Sequence, residues 1–248
     1  MTYGICTLSI VPLQDVNQHN SPVLSEVLYG EIFKILKVQK HFSQVCLDDK
    51  TTGWLENSQF LEITETDFNK LSKQTPKVSA NLVEFIYKDA QILFPIPIGS
   101  MVQHAAYLGH QFEGKTSGSK AEKTNIRTMA FMFVNTPFRK GGKSPFGIDA
   151  DGFVQTVYAL CGIALPRTAV KQSEKGTVLS FIEEAEIGDL AFFDDNEGNI
   201  IHVGIILENN HIIHAHGQVR VDRIDQTGIF NPELRTHTHK LRLIKSIA

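Results

Sequence analysis

A helical pattern followed by closely spaced β-strand patterns most constrains the fold of the second half of the chain. Apolar residues between 152 and 161 recur at helical spacing, and Gly162 follows as a stop signal. Turns rich in Asp, Asn and Gly then separate three β-rich segments, 189–193, 202–207 and 211–216. Turns this short join antiparallel strands. The pattern predicts an α+β domain in which a helix packs on an antiparallel sheet. Val203, Ile205 and Ile213, or their neighbours, are expected on the inner face.

The first 65 residues contain several short β patterns without a helix between them. Residues 4–11 are rich in β-branched side chains and are expected to end as a strand at Pro12, with further strands at 31–38 and 42–47. Strands so short and close are typical of a small closed barrel. The sequence therefore predicts three parts: a barrel at 1–65, a connector at 66–100 and the α+β domain at 101–248.

Composition excludes several classes of protein. The 248 residues are 42% apolar and 21% charged, as in ordinary globular proteins, and the net charge of −3 supplies no basic surface for nucleic acid. No apolar run approaches the roughly 20 residues that span a bilayer. The first residues lack the pattern of a secretory signal, so we expect a cytoplasmic protein unless a signal peptide has been removed. The three scattered cysteines indicate neither disulfides nor a thiolate metal site.

Two histidines are predicted to meet on neighbouring strands. His202 opens one strand and His214 lies in the next, and a tight turn separates the two strands. A lone strand histidine is more often structural, whereas two facing imidazoles favour a functional site. His237 and His239 lie in a polar stretch and are expected to be solvated.

Several separate motifs, in this order, resemble the NlpC/P60 family of cell-wall peptidases, in the subgroup with an N-terminal bacterial SH3-like domain. The resemblance covers nearly the whole chain and implies a papain-like domain that uses a Cys–His dyad to cut γ-D-glutamyl bonds in peptidoglycan stem peptides. The matching stretches are 141–149, 152–155, 165–167, 188–193, 202–205 and 213–215, with weaker landmarks at 28–31 and 53–55.

This resemblance places the family's general base at His202 and its imidazole-orienting residue at His214. Its nucleophile position falls on Ala150, and a methyl group forms neither a thiolate nor an acyl-enzyme. The small hydroxyl residue that follows the nucleophile in the family is replaced by Asp151. The residues implied in substrate binding are Asp149, which is the family's amine-binding carboxylate, Asp151 and Phe138.

Two functions follow from these assignments. The favoured one is a non-catalytic homologue that binds a peptidoglycan-derived peptide without a cofactor. The alternative is a hydrolase of cell-wall peptides that works through a metal ion rather than a cysteine. The metal ligands in that alternative are Asp149, Asp151, His202 and His214, with His216 as a further imidazole. The patterns predict no oligomeric state.

Overall fold

The computed structural model describes residues 2–88, 92–118 and 124–247. These form two compact units, Met1–Lys120 with Lys140–Pro145, and Ala121–Arg139 with Phe146–Ala248. Strands outnumber helices, with 44% of the described residues against 18%. Residues 66–100, the predicted connector, hold a helix and three strands of the first unit, and the predicted domain bounds stay a prediction.

The described residues of the first unit are mostly strands, with one short α-helix that Thr64 caps through its side chain. Its elements are β1 Thr2–Cys6, β2 Ile10–Gln14, β3 Val23–Leu28, β4 Ile32–Val38, β5 Phe42–Cys46, β6 Thr52–Glu56, β7 Phe60–Ile63, α1 Glu65–Leu71, β8 Val78–Ser79, β9 Val83–Lys88, β10 Ile92–Pro97, β11 His110–Gln111, β12 Thr116–Ser117 and β13 Lys143–Ser144.

A seven-stranded antiparallel sheet of order β3-β2-β6-β5-β4-β1-β7 forms the core of this unit. Its buried side chains include Val11, Phe33 and Leu55. The expectation that one strand ends at Pro12 is wrong, because the chain turns after Cys6 and β2 runs through Pro12. That strand has a partner on its second side only at Gln14, so Pro12, which lacks an N–H, falls where that side makes no ladder bond.

The described part of the second unit combines three α-helices with strands, most of which follow the helices. Its elements are α2 Thr124–Phe131, β14 Gly147–Ile148, α3 Ala150–Leu160, α4 Ala169–Ser173, β15 Thr177–Leu179, β16 Leu190–Asp194, β17 Ile200–Leu207, β18 His211–His216, β19 Gln218–Ile224, β20 Gly228–Asn231 and β21 Thr236–Ser246.

The sheet of the second unit closes on itself. Its order is β15-β21-β16-β17-β18-β19-β20, and β21 also pairs with β20, so β16 to β21 form a six-stranded ring. The eleven-residue β21 makes this closure possible, because its first part pairs with β20 and its later part with β16 and β15. A buried apolar cluster that includes Phe193, Ile206 and Ile212 covers one face of this closed sheet.

Helix α3 packs against β17 and β18. It begins at Ala150, two residues before the predicted start, because the Asp149 side chain accepts a hydrogen bond from the Gly152 N–H and caps the helix. Val203, Ile205 and Ile213 are fully buried, as predicted. Among the described helices, none has both the length and the apolar character needed to cross a membrane.

Candidate functional site

A chain of hydrogen bonds joins two histidines and an aspartate on three consecutive strands. His202 Nε2 of β17 lies 2.8 Å from His214 Nδ1 of β18, and His214 Nε2 lies 3.0 Å from Asp222 Oδ2 of β19. Arg220 holds the same carboxylate with two hydrogen bonds of 2.7 and 3.0 Å. The structure therefore brings the predicted pair His202 and His214 together and adds an ionic group behind it.

Burial decides the protonation of this chain. His202 and His214 are 6% and 1% exposed. Burial lowers the pKa of His202 well below its usual value, and the neighbouring imidazoles of His214 and His239 lower it further. Burial also lowers the pKa of His214, against the opposing effect of Asp222. Burial opposes ionisation of Asp222, but its hydrogen bonds with His214 and Arg220 outweigh this and lower its pKa. Both imidazoles are thus neutral at neutral pH, beside an ionised carboxylate.

These protonation states fix the tautomers. An ionised Asp222 only accepts hydrogen bonds, so His214 donates from Nε2 and accepts at Nδ1. His202 must then donate from Nε2, which leaves the lone pair on its Nδ1. A neutral imidazole held in this way can accept a proton, and the carboxylate behind it favours the charge that results.

The strand register explains why the imidazoles fit. Gly204 of β17 pairs with His214 of β18, and Ile206 pairs with Ile212. A Cβ on Gly204 would lie 2.7 Å from the Ile212 side chain and 3.0 Å from His214 Cβ. Glycine is therefore required at this position for β18 to place His214 behind His202.

Sequence reasoning missed Asp222, Arg220 and His239. The strand β19 alternates so that Asp222 is buried between two exposed residues. A charged residue at an inward position of the strand that pairs with β18 is a signal that could have been used. His239 was expected to be solvated. It is half-buried instead, with its ring stacked 4.2 Å from that of His202, and burial lowers its pKa to about 4.

The predicted nucleophile position opens helix α3, and its neighbours are engaged in structural bonds. Ala150 is 4% exposed. Besides capping the helix, Asp149 makes an ion pair of 2.7 Å with Arg167, whose side chain is 4% exposed. Asp149 therefore ties the start of α3 to the loop before α4.

Asp151 makes a second tie to the same region. Its carboxylate accepts a hydrogen bond of 2.9 Å from the Ala169 N–H at the start of α4, and its carbonyl accepts one of 3.0 Å from the buried Gln172. Burial raises the pKa of the Asp151 carboxyl to about 6.

The remaining predicted site residues are not drawn into one group. Phe138 is 45% exposed, and its N–H donates to the Gly217 carbonyl. Among the described residues, His202, His214 and His239 form a group that could hold a metal ion, because one ligand nitrogen of each lies close to those of the other two. Asp149 and Asp151 are outside that group, and His216 lies on the surface with its ring 4.8 Å from that of His239.

Comparisons with known proteins match two parts of the chain to known domain families. Residues 135–238 match the model of the NlpC/P60 family, and residues 15–60 match the bacterial dipeptidyl-peptidase SH3 domain. The chain thus carries an NlpC/P60 domain and a bacterial SH3 domain, as the motifs predicted, and is homologous to γ-D-glutamyl-L-lysine dipeptidyl-peptidases.

Two of those relatives show how far the likeness extends. The Bacillus subtilis γ-D-glutamyl-L-lysine dipeptidyl-peptidase is 24% identical over 87% of this chain and 77% of its own length. The Bacillus cereus protein of that name is 36% identical over 34% of this chain, which spans only 26% of that relative. The crystal structure of an NlpC/P60 family protein from Bacillus cereus shares the fold over 98% of this chain and 99% of its own, with a TM-score of 0.79 at 14% identity.

Proposed function

We propose that this protein is a non-catalytic homologue of the peptidoglycan endopeptidases and binds a murein-type peptide. One observation carries the proposal: alanine stands at position 150, where the family motif has its nucleophilic cysteine. Loss of one member of a Cys–His dyad removes several orders of magnitude of rate, because the remaining groups only bind and polarise the substrate.

Two further features support the loss of cysteine chemistry. The Asp151 carboxylate follows Ala150 directly and bonds to Ala169, so the residue after the nucleophile position now joins two helices. Two of the three thiols are poor substitutes, since burial raises the pKa of Cys6 to about 12 and that of Cys161 to about 11.

The peptide part of the proposal rests on the retained frame. The His202–His214–Asp222 chain is complete and buried, and the relatives are named for γ-D-glutamyl-L-lysine peptides. Asp149, Asp151 and Phe138 are the proposed binding residues, and Phe138 offers the most exposed surface among them. The papain-like description of the domain and the cytoplasmic location belong to the same proposal, and fractionation of the source cells tests the location.

Calorimetric titration with L-alanyl-γ-D-glutamyl-L-lysine tests both parts of the function. We expect saturable binding, no cleavage product by mass spectrometry, and at least tenfold weaker binding of the α-linked L-glutamyl isomer. Phe138→Ala should weaken binding, whereas Phe181→Ala, at a side chain 65% exposed in the same unit, should not.

Each contrary result has a distinct meaning. Equal binding of the two peptides, or none, refutes peptide recognition. Turnover by the wild-type protein refutes the non-catalytic part, and turnover that a chelator abolishes establishes the metal-assisted hydrolase in its place.

A further inference from the structure

Three imidazoles from three different strands converge at one end of the ring of strands. One nitrogen each of His202, His214 and His239 lies within 4.8 Å of the other two. The centroid of the His239 ring lies 4.2 Å from that of His202 and 5.6 Å from that of His214. We propose that this trihistidine cluster is a binding site for a divalent transition-metal ion of the zinc type.

One nitrogen of each ring lies close to the other two rings. His214 uses Nε2 for Asp222 and directs Nδ1 into the cluster. His239 Nδ1 lies 2.9 Å from Thr238 Oγ1, so Nε2 is its ligand atom. The third ligand atom is His202 Nε2, which faces His214 Nδ1.

Asp222 supplies the support that metal-binding histidines usually have. Such histidines donate their second N–H to a carboxylate or carbonyl, which fixes the ring and raises its basicity. Here Asp222 receives His214 Nε2–H and is itself fixed by Arg220, both with little exposure to solvent. This arrangement serves a ligand as directly as it serves a base.

The nitrogen–nitrogen distances in the cluster span the distance expected around a bound metal ion. Zinc–nitrogen bonds of about 2.0–2.1 Å in a tetrahedron place the nitrogens about 3.3 Å apart. The observed separations begin at 2.8 Å, between His202 and His214, and stay within 4.8 Å. Loading requires these two rings to separate by about half an ångström, and the proton on His202 Nε2 to move to Nδ1 of the same ring. No proton is released, because each ligand is a neutral imidazole.

The surroundings select the class of metal. Phe193 is fully buried and packs against both His202 and His239, with centroids at 5.8 and 6.0 Å. Three nitrogen ligands suit zinc, cobalt, nickel or copper, whereas magnesium and calcium require oxygen. Three protein ligands also leave a fourth position for water. This site differs from the Asp/His set considered from the sequence, and it does not depend on peptide binding.

Metal titration of the tag-free full chain, stripped with a chelator, tests the site. We expect one equivalent of Co²⁺ to give the intense visible absorption of a tetrahedral complex. Added Zn²⁺ should displace the Co²⁺, and calorimetry measures the affinity for Zn²⁺. His239→Ala should weaken binding at least tenfold. His237→Ala is the matched control, since His237 lies two residues away on β21 but is exposed and bonded to Asp225.

A second variant separates the site from a loss of folding. Asp222→Asn keeps an acceptor for His214 and should weaken metal binding about 10- to 100-fold, with circular dichroism showing that the fold persists. Absence of stoichiometric binding, or equal binding by wild type and His239→Ala, overturns the proposal. Peptide titration of the metal-free protein is read separately, so failure of this site and failure of the proposed function are distinguishable.

Discussion

The start of helix α3 and the histidine chain of β17 to β19 differ in what their charged side chains do. At α3, Asp149 and Asp151 bond to Gly152, Arg167 and Ala169 and so join the helix to its neighbours. In the strands, Asp222 bonds to an imidazole that in turn bonds to His202. The carboxylates at α3 therefore hold structure together, whereas the carboxylate in β19 sets the protonation of a possible base or ligand.

If the protein is the non-catalytic homologue that we propose, this difference indicates how one half of a catalytic frame can persist after the other has lost its chemistry. Replacing a thiol by a methyl group at position 150 removes only a weak hydrogen-bonding group, so it should cost little stability. Removing any member of the buried chain from His202 to Asp222 would leave a buried polar group without its hydrogen-bond partner. Stability alone is sufficient to retain the histidines, and the variants below separate stability from function.

The largest expected effect is on the strand side. Asp222→Ala should lower the free energy of unfolding by roughly 3–5 kcal/mol, because it leaves the buried His214 and the guanidinium of Arg220 without their shared acceptor. Glu233→Ala removes the other carboxylate of Arg220, which is 75% exposed, and should change stability by less than about 0.5 kcal/mol. Equal denaturant midpoints for the two variants would show that the buried chain contributes no special stability.

At the helix side we expect a smaller loss. Asp149→Ala removes both the cap of α3 and the partner of the buried Arg167, and should cost roughly 2–4 kcal/mol. Thr168→Ala removes only the cap of α4, where Thr168 accepts from Lys171, and should cost about 1 kcal/mol or less. Urea unfolding of both variants isolates the contribution of the ion pair, and equal losses would contradict it.

The third prediction concerns pH. The pKa of Asp151 is raised to about 6 in the folded protein, so folding favours its protonated form. Its contribution to stability is complete below the unfolded value of about 4 and is lost as the pH rises through about 6. Asp151→Asn keeps an acceptor for Ala169 and cannot ionise, so it should be more stable than wild type by roughly 2 kcal/mol at pH 7.5. The melting temperatures of the two should converge near pH 4; a constant difference would contradict the raised pKa.

Sequence patterns predicted the elements whose information is local. The helical spacing after Gly152 and the period of β17 and β18 were sufficient to predict α3 and the meeting of His202 with His214. The third imidazole could not be predicted in this way. His239 reaches the cluster only because β21 pairs with both β20 and β16, and this closure depends on contacts between residues far apart in the chain.

Asp222 and Arg167 show a second limit. Each is a charged residue that would ordinarily be placed on the surface, and each is buried beside a partner of opposite charge, Arg220 for Asp222 and Asp149 for Arg167. Alternation along β19 carried a signal for Asp222. Arg167 stood inside a recognised motif, but its ion pair with Asp149 could not be read from spacing.

The smallest expected effect joins the two regions. Ala150→Cys places a thiol at the N-terminus of α3, where the helix dipole lowers its pKa, and His202 is the proposed acceptor of its proton. We expect it to react with iodoacetamide about tenfold faster at pH 7 than Cys6, Cys46 or Cys161. Peptidase activity should stay near background, because Asp151 opposes a neighbouring thiolate.

Two further variants make this prediction decisive. The double variant with Ala150→Cys and Asp151→Ser should have a more reactive thiol at position 150 than Ala150→Cys alone, since the two side chains act on one group. Adding His202→Gln should return it towards the rate of a free cysteine, because the amide cannot accept the proton. If Ala150→Cys reacts no faster than free cysteine between about pH 6 and 8, His202 does not accept the proton of a thiol at position 150. The histidine chain would then have to be explained by stability or by the metal site alone.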